Sequence, residues 1–328
     1  MTLKSSREGA SRLSTGTELG GPCCPRRRAL SRAGLERLYS AFNRRSCVYP
    51  DPVGFLYEFE DTRDREIVAL IASCLAYGRV EQIRTSIARV LACMKPTPRC
   101  FLRQSTQESL KNAFGQFRHR FTDGAELAAL LFGIREILAC HGSLEACFSE
   151  GMTRKDETIL PSLARFAAEL RRASGITDSM LLPDPGAGSA LKRLNLFMRW
   201  MVRQDRVDPG GWKEVSASEL IVPLDTHMHR ISLAVGLTRR RQPDMRTALE
   251  VTEAFRSVAP EDPVRYDFAL TRLSMLEQRQ RGLGPLSRPL FRGAAAVLTG
   301  RGDQEAGAGS APRRACRTAA PAHKEVGQ

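Results

Sequence analysis

Apolar positions recur at spacings of three and four from Gly34 to about residue 278, and no stretch alternates long enough to make a strand. Leu35, Leu38, Tyr39 and Phe42 form the first stripe, which Tyr49-Pro50-Asp51-Pro52 closes. Asp64 to Ala76 predicts a helix burying Ile67, Leu70, Ile71, Cys74 and Leu75. Gly78 breaks it, and after a tight Tyr77-Gly78-Arg79 corner a second helix turns Val80, Ile83, Ile87, Val90, Leu91 and Met94 inward. Further helices are predicted near 106–118, 124–140, 143–149 and 160–172, followed by a Gly/Pro/Asp-containing linker from Ser174 to Ala187. The helix from Ser189 to Arg203 carries Leu191, Leu194, Phe197, Met198 and Met201 on one side. Lys192, Asn195, Arg199 and Arg203 fall on another, a predicted basic stripe. Asp205 to Ser218 reads as a polar loop, Asp244 caps a later helix, and Asp262-Pro263 predicts a cap with proline at the first helical position. The pattern predicts an all-α fold.

Residues 1–33 and 285–328 lack this period and are rich in Ser, Gly, Arg, Ala and Pro, so both ends are expected to be disordered, flanking a helical core over 34–284. Of a formal net charge of +14, the first end holds seven Lys/Arg against two Glu, +5, and the second seven against three acids, +4; +5 remains on the middle of the chain. A positive field concentrates polyanions, so nucleic acid is the first partner to consider. The nine cysteines are irregularly spaced with no C-x-x-C, which argues against a zinc site, and Cys74 and Cys93 are expected to pack as small hydrophobes in a reducing cytoplasm. No apolar run reaches the ~20 residues of a membrane span, and the N-terminus has no secretion-signal core.

The strongest candidate for chemistry is the stretch Leu220 to Ile231. An apolar run ends in Pro223, and Asp225 then stands at a helix start, where it is either a plain N-cap worth ~1 kcal/mol or a fixed catalytic carboxylate. His227 and His229 do not suggest a metal, because residues two apart on a helix point to opposite sides.

Leu75-Ala76-Tyr77-Gly78-Arg79, Lys192-Arg193-Leu194-Asn195, Arg199-Trp200-Met201-Val202-Arg203, Pro223-Leu224-Asp225-Thr226-His227 and Tyr266-Asp267-Phe268-Ala269-Leu270 resemble a bacterial family of uncharacterised proteins across roughly Leu35 to Ser274. Leu182-Pro183, Gly186-Ala187-Gly188, Lys192-x-x-Asn195 and Leu224-Asp225-Thr226-His227 are more distantly similar, in order and type, to the helix-hairpin-helix (HhH-GPD) base-excision DNA glycosylases, the endonuclease III and 8-oxoguanine glycosylase superfamily. Lys192 stands farther beyond the glycines than in that superfamily, and the loop before Leu220 is longer.

The second resemblance implies a two-lobed helical core acting as a monomer on damaged double-stranded DNA. Asp225 would support a cationic sugar, while Lys192 would form a Schiff base or clamp a phosphate. Gly186 and Gly188 would offer backbone N–H groups or simply lead into a helix. Asn195, Arg199, Arg203, His227, Arg239 and Arg240 would contact nucleic acid. Tyr77 and Arg79 would fill the gap left by an extruded base, unless Tyr77 only caps the hairpin core. The four-cysteine motif of the endonuclease III branch is missing, so no iron–sulfur cluster and no other cofactor is expected. A non-catalytic DNA- or RNA-binding protein on the same scaffold, or a helical protein-interaction module, are the alternative expectations.

Overall fold

Most of the helices begin where a side chain satisfies an unpaired N–H group of the first turn, whereas those at Val80–Cys93, Leu160–Ser174 and Lys192–Val202 start without such a cap. A computed structural model describes residues 31–153, 156–177 and 179–280. Ser31 caps α1 (Arg32–Phe42), two residues before the expected start at Gly34; the expected disordered ends otherwise lie outside the described residues. Asp61 caps α2 (Thr62–Cys74), and Arg79 leads into α3 (Val80–Cys93). Thr97 followed by Pro98 starts α4 (Pro98–Gln104), a short helix the apolar period did not announce. Reciprocal capping boxes start α5 (Gln107–Phe114), through Thr106 and Ser109, and α6 (Gly124–His141), through Asp123 and Glu126. Then come α7 (Leu144–Ser149), α8 (Leu160–Ser174), α9 (Lys192–Val202), α10 (Thr226–Val235), α11 (Met245–Arg256) and α12 (Asp267–Gln280). The described chain is therefore mostly helical, an all-α fold.

Three local expectations are corrected. Residues 115–123 do not continue a helix; Arg118–His119 (β1) and Thr122–Asp123 (β2) pair as an antiparallel hairpin around Arg120 and Phe121. Arg120 takes φ 53°, a left-handed conformation that costs a non-glycine residue on the order of 1–2 kcal/mol. Asp262 does not cap a helix, because its carboxylate is committed to Arg203, and α12 starts only at Asp267. Cys74 is buried as expected, but Cys93 is exposed.

Helix α2 is enclosed on every side: from Glu66 to Cys74 each residue is buried, so α9, α4, α7 and the 3-10 segment Pro52–Glu58 all pack on it. Helix α6 lies against α5 and α8, while α12 spans α10 and α1. The Glu66 carboxylate shows why the enclosure is specific. It accepts the first-turn N–H groups of Leu144 and Glu145 at 3.0 and 3.1 Å and the Trp212 indole N–H at 3.0 Å. Burial pushes its pKa up, and these donors together with Arg63 oppose that shift. Trp212 in turn packs edge-on against Phe197 at 5.2 Å, so one carboxylate joins α2, α7 and the segment after α9. The expected polar loop is thus a fixed strap. Gly210 and Trp212 donate backbone N–H groups to Trp200 and Met201, and Gly211 at φ 138° lies where a Cβ would meet Thr62 at 2.8 Å.

Replacing Trp212 by Phe keeps an aromatic ring, though a smaller one, and removes one donor from a buried anion. Denaturant unfolding should show a loss of about 1.5–3 kcal/mol; an unchanged midpoint would mean that the strap is held by apolar packing alone.

Candidate active site

Leu220 to Leu224 are buried, and the Val222 N–H is satisfied by the Thr252 hydroxyl at 3.0 Å, so this segment is extended without belonging to a sheet. It delivers Asp225 to the start of α10, whose Met228, Ile231 and Val235 anchor the helix in the core. Asp225 Oδ1 accepts the Met228 N–H at 2.7 Å. The residue is half-buried, and Oδ2 has no hydrogen bond among the described residues. The capping role is therefore real and occupies one oxygen of two.

Asp267 is the neighbour that sequence reasoning passed over. It is buried, with Oδ2 2.5 Å from Arg199 Nη1 and Oδ1 without a partner. Burial raises its pKa, Arg199 opposes the rise and the charge of Asp225 adds to it, leaving the group at about 6. Arg199 also reaches Asp208 Oδ1 through Nε and Nη2 at 3.2 and 3.0 Å. One helical turn on, Arg203 bonds Asp208, Asp205 at 2.9 Å and Asp262 at 2.9 Å. The Tyr39 hydroxyl donates to Asp205 at 2.9 Å. Burial disfavours charge on both arginines, but Asp208 and the other acids more than offset it and raise their pKa values.

This corrects the basic stripe. Arg199 and Arg203 are buried in ion pairs and present no guanidinium to a DNA backbone. Asn195 is also buried, its Nδ2 donating to the Ala190 carbonyl at 3.0 Å, where it fixes the turn into α9. Only Lys192 of the four is partly accessible; no hydrogen bond or ion pair joins it to Asp225 among the described residues.

The remaining candidates divide in the same way. Gly186 and Gly188 are exposed, but the Gly186 N–H already donates to Asp184 Oδ1 at 2.8 Å, and the Gly188 carbonyl accepts the Met245 N–H, docking the turn on α11. Arg240 holds Asp244 at 2.7 Å and Thr247 at 3.1 Å, and its carbonyl meets His229 Nε2 at 2.8 Å, so it ties α10 to α11; Arg239 is exposed. His227 Nδ1 meets the Ser274 hydroxyl at 3.0 Å, linking α10 to α12. The Tyr77 hydroxyl is 2.8 Å from the His119 carbonyl and 2.6 Å from Thr122 Oγ1, which makes Tyr77 the cap of its corner rather than an insertable side chain, while Arg79 is exposed.

Among the described residues no group of three or more His, Cys, Asp or Glu is arranged to hold a metal ion, and no helix is long and apolar enough to cross a membrane.

The Asp267 carboxyl binds its proton more tightly in the folded chain than in the unfolded one, where its pKa is near 3.9. Its contribution to stability is therefore fully present below about pH 4 and is lost as pH rises through about 6. The difference in unfolding free energy between the wild type and Asp267→Asn should change across that window and level off above it. A pH-independent difference would assign the titration to another group.

Over residues 51–276 the sequence matches a family described as "Protein of unknown function (DUF2400)". No curated protein and no solved structure matches it. The matched span runs from the 3-10 segment before α2 into α12 and includes Lys192, Asp225 and Asp267. The chain belongs to this family of uncharacterised proteins.

Proposed function

We propose that this protein is a DNA-repair glycosylase that takes a damaged base out of the duplex and cleaves its bond to the sugar. The observation that carries the reading is Asp225, a half-buried carboxylate with one oxygen committed to its helix and the other uncommitted among the described residues. Asp267, which feels the charge of Asp225, belongs to a network in which four buried or largely buried aspartates, Asp205, Asp208, Asp262 and Asp267, outnumber Arg199 and Arg203, so a cation at Asp225 would meet an excess of negative charge. Cleaving an N-glycosidic bond creates such a cation.

In this reading the bond between the base nitrogen and sugar C1′ breaks with its electron pair leaving on the base. The Asp225 carboxylate stabilises the positive charge that remains on the sugar and accepts a proton from the water that attacks C1′. Lys192, partly accessible at the first turn of α9, is the amine available for capture of C1′ as a Schiff base, which would add strand-cleaving lyase activity. The order of the Gly186 to Gly188 turn, Lys192 and Asp225 along the chain supports the same reading. With Arg199, Arg203 and Asn195 buried and the N–H groups of Gly186 and Ala187 already donated to Asp184, DNA contact falls to Arg79, Arg239 and Lys192.

The test is a panel of duplexes, each with one lesion. Asp225→Asn keeps a side-chain oxygen for the Met228 N–H and should lower base release by at least about a hundredfold with little change in duplex affinity. Borohydride should trap a covalent adduct that Lys192→Ala loses. Salt-dependent binding without base release would leave a non-catalytic binder, and no salt-dependent affinity would leave a protein-interaction module.

A further inference from the structure

We infer that the β1–β2 hairpin is a wedge that inserts Phe121 into the base stack of bound DNA. The inference rests on the DNA reading above and transfers the gap-filling role from Tyr77, whose hydroxyl is committed, to Phe121, whose ring has the Arg120 guanidinium 5.5 Å from its centre. Phe121 is 70% exposed, against a core in which most large apolar side chains are buried.

Its exposure is imposed by the fold. The hairpin is anchored just below its tip: His119 is held between the Ser86 hydroxyl at 2.9 Å and the Tyr77 carbonyl at 3.1 Å, and its ring packs edge-on against Tyr77 at 4.7 Å. Tyr77 bonds both strands through its hydroxyl. The residues on either side of the Arg120-Phe121 turn are therefore held by a buried polar cluster, and Arg120 takes a left-handed conformation within the turn.

The surroundings of Phe121 select the partner. Arg118 and Arg120 flank it and Arg79 is exposed at the adjoining corner. Arg120 lies across Gly78, where a Cβ would stand 2.6 Å from its Cδ, so glycine there makes room for the arginine. Arg193 lies 5.2 Å over the Tyr77 ring and binds the carbonyls of Cys74 and of Met180, itself 52% exposed. A rigid aromatic tip among cations fits a polyanion whose interior is a stack of flat apolar rings. Arginines meet the phosphates, and the phenyl ring takes the place of an unstacked base.

The experiment uses the full chain and two labelled duplexes, one intact and one with a tetrahydrofuran abasic analogue beside 2-aminopurine. Wild-type protein should prefer the abasic duplex and raise 2-aminopurine fluorescence. Phe121→Ala, at an exposed position, should keep the wild-type unfolding midpoint and intact-duplex affinity, yet lose about tenfold in preference and the fluorescence rise. Phe121→Trp should restore both. Arg118→Ala with Arg120→Ala should weaken both duplexes equally. If Phe121→Ala binds and perturbs the abasic duplex as the wild type does, the wedge is overturned while the DNA reading stands. If the wild type binds neither duplex, both fall.

Discussion

Two guanidiniums buried one helical turn apart hold the region around Asp225 together. Arg199 and Arg203 leave α9 on the same side and are met by Asp208 between them, by Asp205 and Asp262 at one end and by Asp267 at the other. Taking such charges out of water costs several kcal/mol per ion, and only this density of hydrogen bonds offsets it. The arrangement is consequently intolerant of losing one partner, far more than of losing a typical surface pair, which is worth ~0–1 kcal/mol. It also sets geometry: Asp208 and Asp205 hold the strap after α9, Asp262 positions the turn before α12, and Asp267 starts α12 itself.

The same network gives the candidate site its electrostatics. Acids outnumber arginines, and Asp267, with one oxygen unpartnered and its pKa at about 6, is the place where that excess is felt. Asp225 adds to it from the start of α10. An environment of this kind disfavours a further anion and favours a cation or a proton, which suits a sugar developing positive charge better than it suits a phosphate. On the proposed reading, phosphate contact would fall to exposed arginines elsewhere on the surface, Arg79, Arg118 and Arg120 among them.

Much of the helical scaffold was legible because local rules govern it. Asp123 with Glu126, Asp225 and Asp244 each satisfy the first turn of their own helix, and a cap needs only its nearest neighbours. What the residues could not reveal were commitments made over distance. Lys192, Asn195, Arg199 and Arg203 have the spacing of a solvated face, and only partners up to 68 residues away turn three of them inward. Asp262 obeys the capping rule in sequence and disobeys it in the fold because Arg203 claims its carboxylate. The β1–β2 hairpin has two residues per strand, too few to establish a period, and Tyr77 looks insertable until His119 and Thr122 take its hydroxyl.

The tie between the first helix and the turn that leads into the last carries a consequence for how the chain is made. Glu36 of α1 is bound by Arg265 at 3.0 Å and by the Tyr266 hydroxyl at 2.7 Å, across 230 residues. At roughly 5–20 residues per second, α1 waits on the order of tens of seconds on the ribosome before these partners emerge. Asp225 waits as well, since Asp267 and Ser274 arrive in the same late segment. Helices α2 to α8 can associate early through contacts close in sequence, whereas the Asp225 region closes last. A nascent chain therefore carries no assembled site, however much of its helical core has already formed.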